Sequence, residues 1–133
     1  MLSYLSTLSS FLAYWSFAAV ATVVFVGIYL WITPQRELKL VAQGNISAAM
    51  SLSGAMLGFV LPMSSALAHS VSLGDLVSWS LVALAVQILV YAVIRLFWHD
   101  LQSQIERDNR AVALVVAVLA VTAGALNAAA MTY

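Results

Sequence analysis

The sequence predicts an all-α integral membrane protein whose four transmembrane helices form two tandem two-helix repeats of parallel orientation. Hydrophobic residues make up 64% of the 133 residues, and charged residues make up only 8%. Four runs without Asp, Glu, Lys or Arg, near 11–33, 46–69, 76–94 and 111–131, each approach the ~20 residues that a helix needs to cross a bilayer. A shift of 64 residues also aligns the two halves of the chain without a gap. These three observations define the fold class.

The composition excludes several functional classes. A soluble domain is about half apolar and a quarter charged, so the excess apolar residues of this chain must face lipid. The chain has no cysteine and a net charge of zero, which excludes disulfides, thiolate chemistry and a basic patch able to bind nucleic acid. The sequence offers no nucleophile–base pair, phosphate loop or metal-binding motif. We therefore predict no enzyme activity, no cofactor and no metal site.

The repeat divides a single membrane domain, residues 1–133, into two units. The shift of 64 residues pairs Leu12 with Leu76, Trp15-Ser16 with Trp79-Ser80, Asn45 with Asn109 and Ala49 with Ala113. The predicted boundaries are 11–69 for unit one, with helices at about 11–33 and 46–69, and 75–133 for unit two, with helices at about 76–98 and 110–131. Because each unit holds an even number of spans, both units cross the membrane in the same orientation.

The first span carries bulky side chains, among them Phe25, Tyr29 and Trp31. Such a surface favours contact with lipid, so we expect this helix to lie on the outside of the bundle. Pro34 ends the helix, since the residue before a proline avoids the helical conformation. The run lacks a preceding basic residue and is longer than the apolar part of a signal peptide, which predicts a retained span.

The connections 34–45 and 95–110 contain every basic residue of the chain, namely Arg36, Lys39, Arg95, Arg107 and Arg110. Cytoplasmic loops of membrane proteins are enriched in Lys and Arg, so this distribution predicts that both connections are cytoplasmic and both termini periplasmic. Aromatic residues that prefer interfaces agree with this orientation: Tyr14, Trp15, Trp79 and Tyr133 mark the outer interface, and Tyr29, Trp31, Phe97 and Trp98 mark the inner one.

Each of these connections also has a short apolar face. Leu38, Val41 and Ala42 share one face in the first connection, and Leu101 and Ile105 share one in the second. The pattern fits two short helices lying in the headgroup plane, where they would present a surface to a soluble partner. It fits plain solvated turns equally well.

The second span, rich in Gly, Ala and Ser, is predicted to be the inner packing helix. Small residues let helix backbones approach closely in a membrane, where apolar side chains alone cannot hold helices together because lipid is equally apolar. Gly54 and Gly58 form a small-xxx-small pair, and Pro62 follows four residues later on roughly the same face. The fourth span is Ala-rich and contains Gly124 and Asn127, so we expect it to pack against the second while the first and third spans wrap around them.

Polar residues within and beside the spans have a structural and a functional interpretation. Asn45 and Asn109 each precede a span and suit helix N-caps, although they could instead line a cytoplasmic vestibule. Pro62 cannot donate to the Gly58 carbonyl and should kink the helix. That carbonyl, with Ser51 nearby, could bind a cation or water, or be accommodated by neighbouring hydroxyls.

Several motifs resemble the YjfL family of small bacterial inner-membrane proteins. The motifs are Trp31-Ile32-Thr33-Pro34, Gly44-Asn45-x-Ser47-Ala48-Ala49, Gly54-x-x-x-Gly58-Phe59-Val60-Leu61-Pro62-Met63-Ser64-Ser65-Ala66 and Gly124-Ala125-Leu126-Asn127-Ala128-Ala129-Ala130-Met131-Thr132. The resemblance covers nearly the whole chain and implies four spans built from two tandem two-helix units in the inner membrane. It implies no activity, and it suggests a role in the cell envelope. The second unit lacks the Gly-Phe-x-x-Pro element.

Two functions from different classes follow. The first is a homo-oligomeric scaffold or accessory subunit of the envelope, with a dimer favoured, which binds cytoplasmic partners through the 34–45 and 95–110 surfaces. The alternative is a small ion or solute channel along the axis between the repeats. The residues expected to serve in helix packing or to line such a pore are Ser51, Gly54, Gly58, Pro62, Ser64 and Asn127.

Overall fold

The computed structural model of the chain describes residues 2–33 and 36–131. Within them it contains six α-helices and no strand: α1 (Leu2–Ile32), α2 (Glu37–Ala42), α3 (Ile46–His69), α4 (Leu73–Phe97), α5 (Leu101–Glu106) and α6 (Arg110–Ala130). Four of them, α1, α3, α4 and α6, are long and apolar enough to cross a membrane. The predicted all-α, four-span fold is therefore confirmed. The expected helix stop at Pro34 and the interfacial Tyr133 lie outside the described residues.

The helix α1 begins at Leu2, well before the predicted start of the first span, and it is 31 residues long. At 1.5 Å per residue this is about 46 Å, more than the ~30 Å hydrocarbon core requires. The prediction used hydropathy alone, and the N-terminal turns are serine-rich. A serine or threonine can remain helical by bonding to the preceding turn, as the Thr7 hydroxyl does when it donates to the Ser3 carbonyl at 2.8 Å.

The centre of the bundle is the contact between α3 and α6. Half of the apolar stretch of α3 is buried inside the bundle, compared with about a tenth of that of α1. A methyl group built on Gly54 would lie 2.5 Å from the Ala117 Cα, and one built on Gly58 would lie 2.5 Å from the Ala120 carbonyl oxygen. A methyl group on Gly124 would collide with the Gly58 backbone. We call this backbone-to-backbone contact the α3–α6 seam.

The expectation that the bulky side chains of the first span all face lipid is wrong for Phe25 and Tyr29. These two are only 2% and 4% exposed, whereas Trp31 is 85% exposed. The Phe25 ring stacks on Phe59 of α3 with centroids 4.5 Å apart, and the Tyr29 ring meets Tyr91 of α4 edge-on at 5.5 Å. Because the α3–α6 seam is built from small residues, large rings from α1 are needed to fill the space beside it.

Both connections between the paired spans are helical, as the first of the two interpretations anticipated. In α2, Glu37 is 1% exposed while Leu38 is 60% exposed, so the side of this helix that packs on the bundle is centred on Glu37 and not on Leu38. The face expected for α5 is confirmed, since Leu101 and Ile105 are 2% and 0% exposed. The inner faces of both short helices therefore pack on the bundle.

The two connections share the same turn geometry 64 residues apart. Gly44 and Asp108 both adopt a positive φ, of 86° and 58°. The backbone N–H of Asn45 donates to the Leu40 carbonyl at 2.9 Å, and the backbone N–H of Asn109 donates to the Gln104 carbonyl at the same distance. Glycine adopts this left-handed conformation freely, and Asp is one of the few other residues that tolerate it. The α2–α3 and α5–α6 turns thus share a left-handed residue and an equivalent backbone hydrogen bond.

Candidate functional site at the α2–α5 end of the bundle

Three side-chain oxygens from three helices meet inside the end of the bundle that carries α2 and α5. The Tyr29 hydroxyl of α1 lies 3.3 Å from Glu37 Oε1 and 3.1 Å from Ser51 Oγ. The Ser51 Oγ of α3 lies 3.5 Å from the same Glu37 oxygen. All three residues are at most 4% exposed. We call them the Glu37 cluster; their oxygens form a triangle with sides of 3.1 to 3.5 Å.

The sides of this triangle are long for hydrogen bonds between oxygens, which are typically about 2.5–3.0 Å. Other hydroxyl groups of the same chain reach that range: Ser47 donates to Asp108 at 2.7 Å, and Ser80 donates to the Leu76 carbonyl at 2.6 Å. The Tyr29 and Ser51 hydroxyls both donate to Glu37 Oε1, so the cluster is a shared, loose hydrogen-bond network and not one tight pair. Such a set, with one carboxylate and two hydroxyls, can hold a proton or a small cation.

A small cavity of about 20 Å³ adjoins the Glu37 cluster. Its polar lining comes from Tyr29, Ser51, Gln87 and Tyr91, and the remaining lining residues are apolar. A space of roughly 10–15 Å³ is enough for one water molecule when polar partners are present. The cavity therefore has room for a single water molecule between the Glu37 cluster and the middle of α4.

Gln87 of α4 connects that cavity to the α3–α6 seam. Its side-chain amide donates to the Gly58 carbonyl at 2.9 Å and to the Ala120 carbonyl at 3.2 Å. Pro62 lies four residues after Gly58 inside α3 and has no N–H to give it. The sequence identified the Gly58 carbonyl as the group that Pro62 leaves without a helical donor. This carbonyl receives its hydrogen bond from a neighbouring helix and not from the Ser side chains nearby.

A second polar contact, which we call the clasp, joins the start of α3 to the turn between α5 and α6. Asp108 Oδ1 accepts hydrogen bonds from the Ser47 amide at 2.9 Å and from the Ser47 hydroxyl at 2.7 Å. Asn45 donates to the Ile105 carbonyl at 2.9 Å while its own side-chain oxygen accepts from the Ala48 amide at 2.9 Å. A carboxylate at a helix N-terminus is favourably placed. The clasp therefore fixes α5 against α3.

The clasp makes the stability of the protein depend on pH. Hydrogen bonds from the Ser47 hydroxyl and then the Ser47 amide lower the pKa of Asp108 below its ordinary value of 3.8, with Arg110 adding to the effect. A carboxyl group with a lowered pKa stabilises the folded state above its unfolded pKa, and this contribution is lost as the pH falls through the lowered folded pKa. The charge of Asp108 therefore stabilises the protein at neutral pH.

We expect Asp108→Asn to lower the melting temperature of the purified protein by a few degrees at neutral pH, because the amide keeps an acceptor for Ser47 but loses the charge. The difference from the wild type should shrink as the pH falls below 3.8, the ordinary value for this carboxyl group. Asp100→Asn is the matched control, because Asp100 is exposed and directly precedes α5. It should change the melting temperature little. A difference that stays constant over this pH range would contradict the assigned role of the Asp108 charge.

The residues singled out from the sequence do not line one path. Ser51 belongs to the Glu37 cluster, Gly54 and Gly58 lie in the α3–α6 seam, and Pro62 is buried one turn beyond Gly58. Ser64 instead is exposed and borders a groove between α3 and the N-terminal half of α1, lined also by Thr7, Tyr14 and Leu67. Asn127 lies further along α6 and is half-buried.

The two asparagines that precede spans sit at helix starts. The Asn45 side chain accepts from the Ala48 amide at the start of α3, and the Asn109 side chain accepts from the Val112 amide at 3.4 Å at the start of α6. Asn109 also donates to the Gln104 side chain at 2.7 Å. The side-chain NH2 group of Asn109 is thus used within its own connection, whereas that of Asn45 donates across to α5 in the other connection.

Glu37 was not among the residues predicted from the sequence, because only Leu38, Val41 and Ala42 were considered in its segment. One signal could have found it. The shift of 64 residues pairs Glu37 and Val41 with Leu101 and Ile105, the apolar face that was correctly assigned to α5. Had the two connections been compared position by position, the inward face of α2 would have been read correctly, with a carboxylate at its centre.

The outer faces of α2 and α5 form a polar surface at the same end of the bundle. Its exposed charged and titratable side chains are Arg36, Lys39, His99, Asp100, Glu106, Arg107 and Arg110. The clasp and the buried side chains of Leu101 and Ile105 attach this surface to the bundle. The arrangement offers a fixed, mixed-charge platform and not a pocket.

Comparison with known proteins gives a consistent result. Residues 3–131 match the family described as Domain of Unknown Function (DUF350). The UPF0719 inner membrane protein YjfL of Escherichia coli (strain K12) is 36% identical over 129 residues, which covers 97% of this chain and 98% of that protein. The UPF0719 transmembrane protein YshE of Bacillus subtilis (strain 168) is 24% identical over 111 residues, covering 82% of this chain and 83% of that protein. No solved structure gives a significant match.

Proposed function

The chain belongs to the DUF350 family, and from this premise we propose that it is a non-enzymatic scaffold or accessory subunit of the cell envelope. The resemblance to the YjfL family is confirmed by the similarity over almost the full length. Four apolar helices together with the named inner-membrane relative place the protein in the inner membrane as a multi-pass protein. Its partners and activity are the subject of the proposal.

The α3–α6 seam is the observation that carries the proposal. A conduit between the two halves of the chain would run where Gly58 and Gly124 meet, and there the backbones leave no room for even one added methyl group. Ser64, which such a conduit needs in its lining, borders the groove beside α1 instead. The packing therefore favours a scaffold over a channel along this axis.

The platform formed by α2 and α5 is the proposed docking surface for a soluble protein. All five basic residues of the chain belong to this end or to the helix turns beside it. By the positive-inside rule the platform faces the cytoplasm, and both termini face the periplasm. A partner that binds here would be recruited to the membrane without any opening of the bundle.

We further propose that the two halves are an internal repeat and that the protein works as a homodimer. The matched turns 64 residues apart support the repeat. Small-residue faces would suit a dimer in the membrane, but those of α3 and α6 are occupied inside the chain. The dimer must therefore use other faces, and native mass spectrometry from lipid nanodiscs can detect it.

The scaffold proposal predicts no conduction. Liposomes that contain the purified protein should show ion flux no faster than protein-free liposomes, with an added ionophore as the positive control for tightness. Because the seam is closed by backbone contact, Ser51→Ala should not change this result. Flux well above the protein-free level that Ser51→Ala reduces would refute the scaffold proposal and support the channel.

The docking surface and its orientation are tested together. A photocrosslinking residue at Lys39 or Arg107 should capture a cytoplasmic protein, whereas one at Val23, which is 71% exposed on the apolar surface of α1, should not. Cysteines introduced at Lys39 and Arg107 in this cysteine-free chain should react with membrane-impermeant reagents only after the cytoplasmic side is opened. Labelling of Lys39→Cys in intact cells would overturn the orientation.

A further inference from the structure

We propose that one internal water molecule occupies the cavity beside the Glu37 cluster and hydrogen-bonds Gln87 of α4 to the hydroxyls of Tyr29 and Ser51. The water molecule would extend the hydrogen-bond network of the cluster from α2 to the middle of the bundle. This inference does not depend on the scaffold function, because any role of the protein requires that the polar groups buried between its helices have partners.

The size of the cavity is that of a single water molecule. The cavity measures about 20 Å³, and a water molecule needs at least roughly 10–15 Å³. All four spans contribute apolar residues to its wall, among them Phe25 of α1, Ala55 of α3, Val90 of α4 and Ala120 of α6. A wholly apolar cavity would stay dry, so the polar groups in the wall decide whether water enters.

Gln87 provides the first of these polar groups. Its side-chain NH2 group donates to the Gly58 and Ala120 carbonyls, which can only accept, so the orientation of the amide is fixed. Among the described residues, none donates to the side-chain oxygen of Gln87, although this residue is only 4% exposed. Buried polar groups almost always have a partner in the protein or in ordered water. Because Gln87 lines the cavity, a water molecule there can supply the hydrogen bond to its oxygen.

The Tyr29 and Ser51 hydroxyls provide the second set of polar groups. Both line the cavity, and both donate to Glu37 Oε1. A hydroxyl oxygen that donates its proton can still accept hydrogen bonds. The water molecule can therefore donate one proton to the Gln87 oxygen and the other to one of these hydroxyls. Tyr91, which packs edge-on against Tyr29 and also lines the cavity, adds a further polar group. This number of partners matches the about three hydrogen bonds that buried water molecules make.

The water bridge would join two hydrogen-bonded groups between which the structure shows no direct hydrogen bond. One group contains Glu37 and therefore reaches α2, whose outer face is part of the platform. The other contains the Gly58 carbonyl, to which Pro62 gives no hydrogen bond. Lipid offers no polar group that could replace the bridge. The α2–α5 end of the bundle and the α3–α6 seam would thus belong to one network.

The test is the transfer of magnetisation from water to the side-chain NH2 group of Gln87. It is measured by water-edited solid-state NMR on the full-length protein in bilayers of deuterated lipid. Val86-Gln87 is the only Val-Gln pair of the sequence, so labelling these two residue types assigns the signal. We expect rapid transfer to Gln87 and none to the backbone N–H of Leu57, a residue that precedes Gly58 and is 54% exposed on the apolar surface.

A matched pair of variants tests the position of the water molecule. Ser51→Val removes a hydroxyl from the cavity wall and adds methyl groups in its place, so the transfer to Gln87 should be lost. Ser53→Val makes the same change at an exposed position of the same helix and should keep the transfer.

If Ser51→Val does not fold, the additivity of two milder variants decides the question. Ser51→Ala and Gln87→Leu each break the proposed bridge, although no direct hydrogen bond joins the two side chains. The double variant should therefore lose roughly 3–5 °C less in melting temperature than the sum of the single losses. Ser80→Ala is the control, because Ser80 is a buried hydroxyl of α4 that bonds to the Leu76 carbonyl outside the cavity. Its effect should add to that of Gln87→Leu.

Two results would overturn the proposal. The first is a wild type in which the Gln87 NH2 group receives no more magnetisation from water than the Leu57 N–H, which would show that the cavity is dry. The second is a transfer that persists in Ser51→Val or, in the additivity test, a loss in the double variant equal to the sum of the single losses. Either outcome would show that water does not bridge these residues.

Discussion

Gly58→Val is expected to prevent the four helices from assembling. A Cβ at this position would lie 2.5 Å from the Ala120 carbonyl oxygen and 2.8 Å from both polar atoms of the Gln87 amide. The first contact is with backbone, which cannot move aside as a flexible side chain can. Overpacking a core usually costs about 1–3 kcal/mol, and valine adds two further methyl groups to a site without room for one. We expect a loss of at least about 3 kcal/mol.

The measurement is the melting temperature and the monodispersity of the protein purified in mild detergent. Gly27→Val is the matched control: Gly27 is also a glycine within a transmembrane helix, but a Cβ there would meet nothing within 4 Å. We expect the control to behave like the wild type. If Gly58→Val were as stable as Gly27→Val, α3 and α6 could not be in backbone contact at this point.

The second large effect concerns the hydrogen bond that Gln87 gives to the Gly58 carbonyl. Gln87→Leu keeps the volume of the side chain but removes the donor that replaces the missing N–H of Pro62. A buried carbonyl without a partner costs about 1–3 kcal/mol, and lipid provides no alternative donor. We expect Gln87→Leu to destabilise the protein by about 2 kcal/mol, measured by unfolding in mixed micelles.

A double-mutant cycle separates this role from packing. Pro62→Ala restores an N–H four residues after Gly58, so the helix can supply its own hydrogen bond. In the Pro62→Ala background, Gln87→Leu should therefore cost less than half as much as in the wild type. Gln43→Leu, at an exposed position, is the control for the loss of an amide. Equal costs in the two backgrounds would show that Gln87 does not compensate for Pro62.

The parts of the fold that the sequence could predict are those governed by local patterns. Hydropathy and length identify the four spans, and the small-xxx-small pair of Gly54 and Gly58 identifies the packing face of α3, because both signals lie within one helix. Pro62 even identifies the Gly58 carbonyl as a group in need of a donor. The identity of that donor could not be predicted, since Gln87 is 29 residues away and any neighbouring helix could have supplied one.

The Glu37 cluster was missed for a related reason. The inward face of so short a helix as α2 is decided by the turn that follows it, and that turn is fixed by the left-handed Gly44 and by the hydrogen bonds of Asn45 to the α5 carbonyls. These are contacts between residues about 60 positions apart, so the apolar pattern of α2 alone does not indicate which side of the helix packs on the bundle. Phe25 and Tyr29 were misplaced likewise, because the space that they fill is created by helices distant in sequence.

Glycine-selective ¹³C labelling with solid-state NMR in lipid bilayers tests the α3–α6 seam most directly. The chain has only six glycines, so their few signals can be assigned by pairwise labelling with the preceding residue, Leu57 for Gly58 and Ala123 for Gly124. If the two helices meet backbone to backbone, Gly58 and Gly124 will give a strong cross-peak despite their separation of 66 positions in the sequence. The absence of that cross-peak, together with transfer from lipid acyl protons to both glycines, would contradict the account.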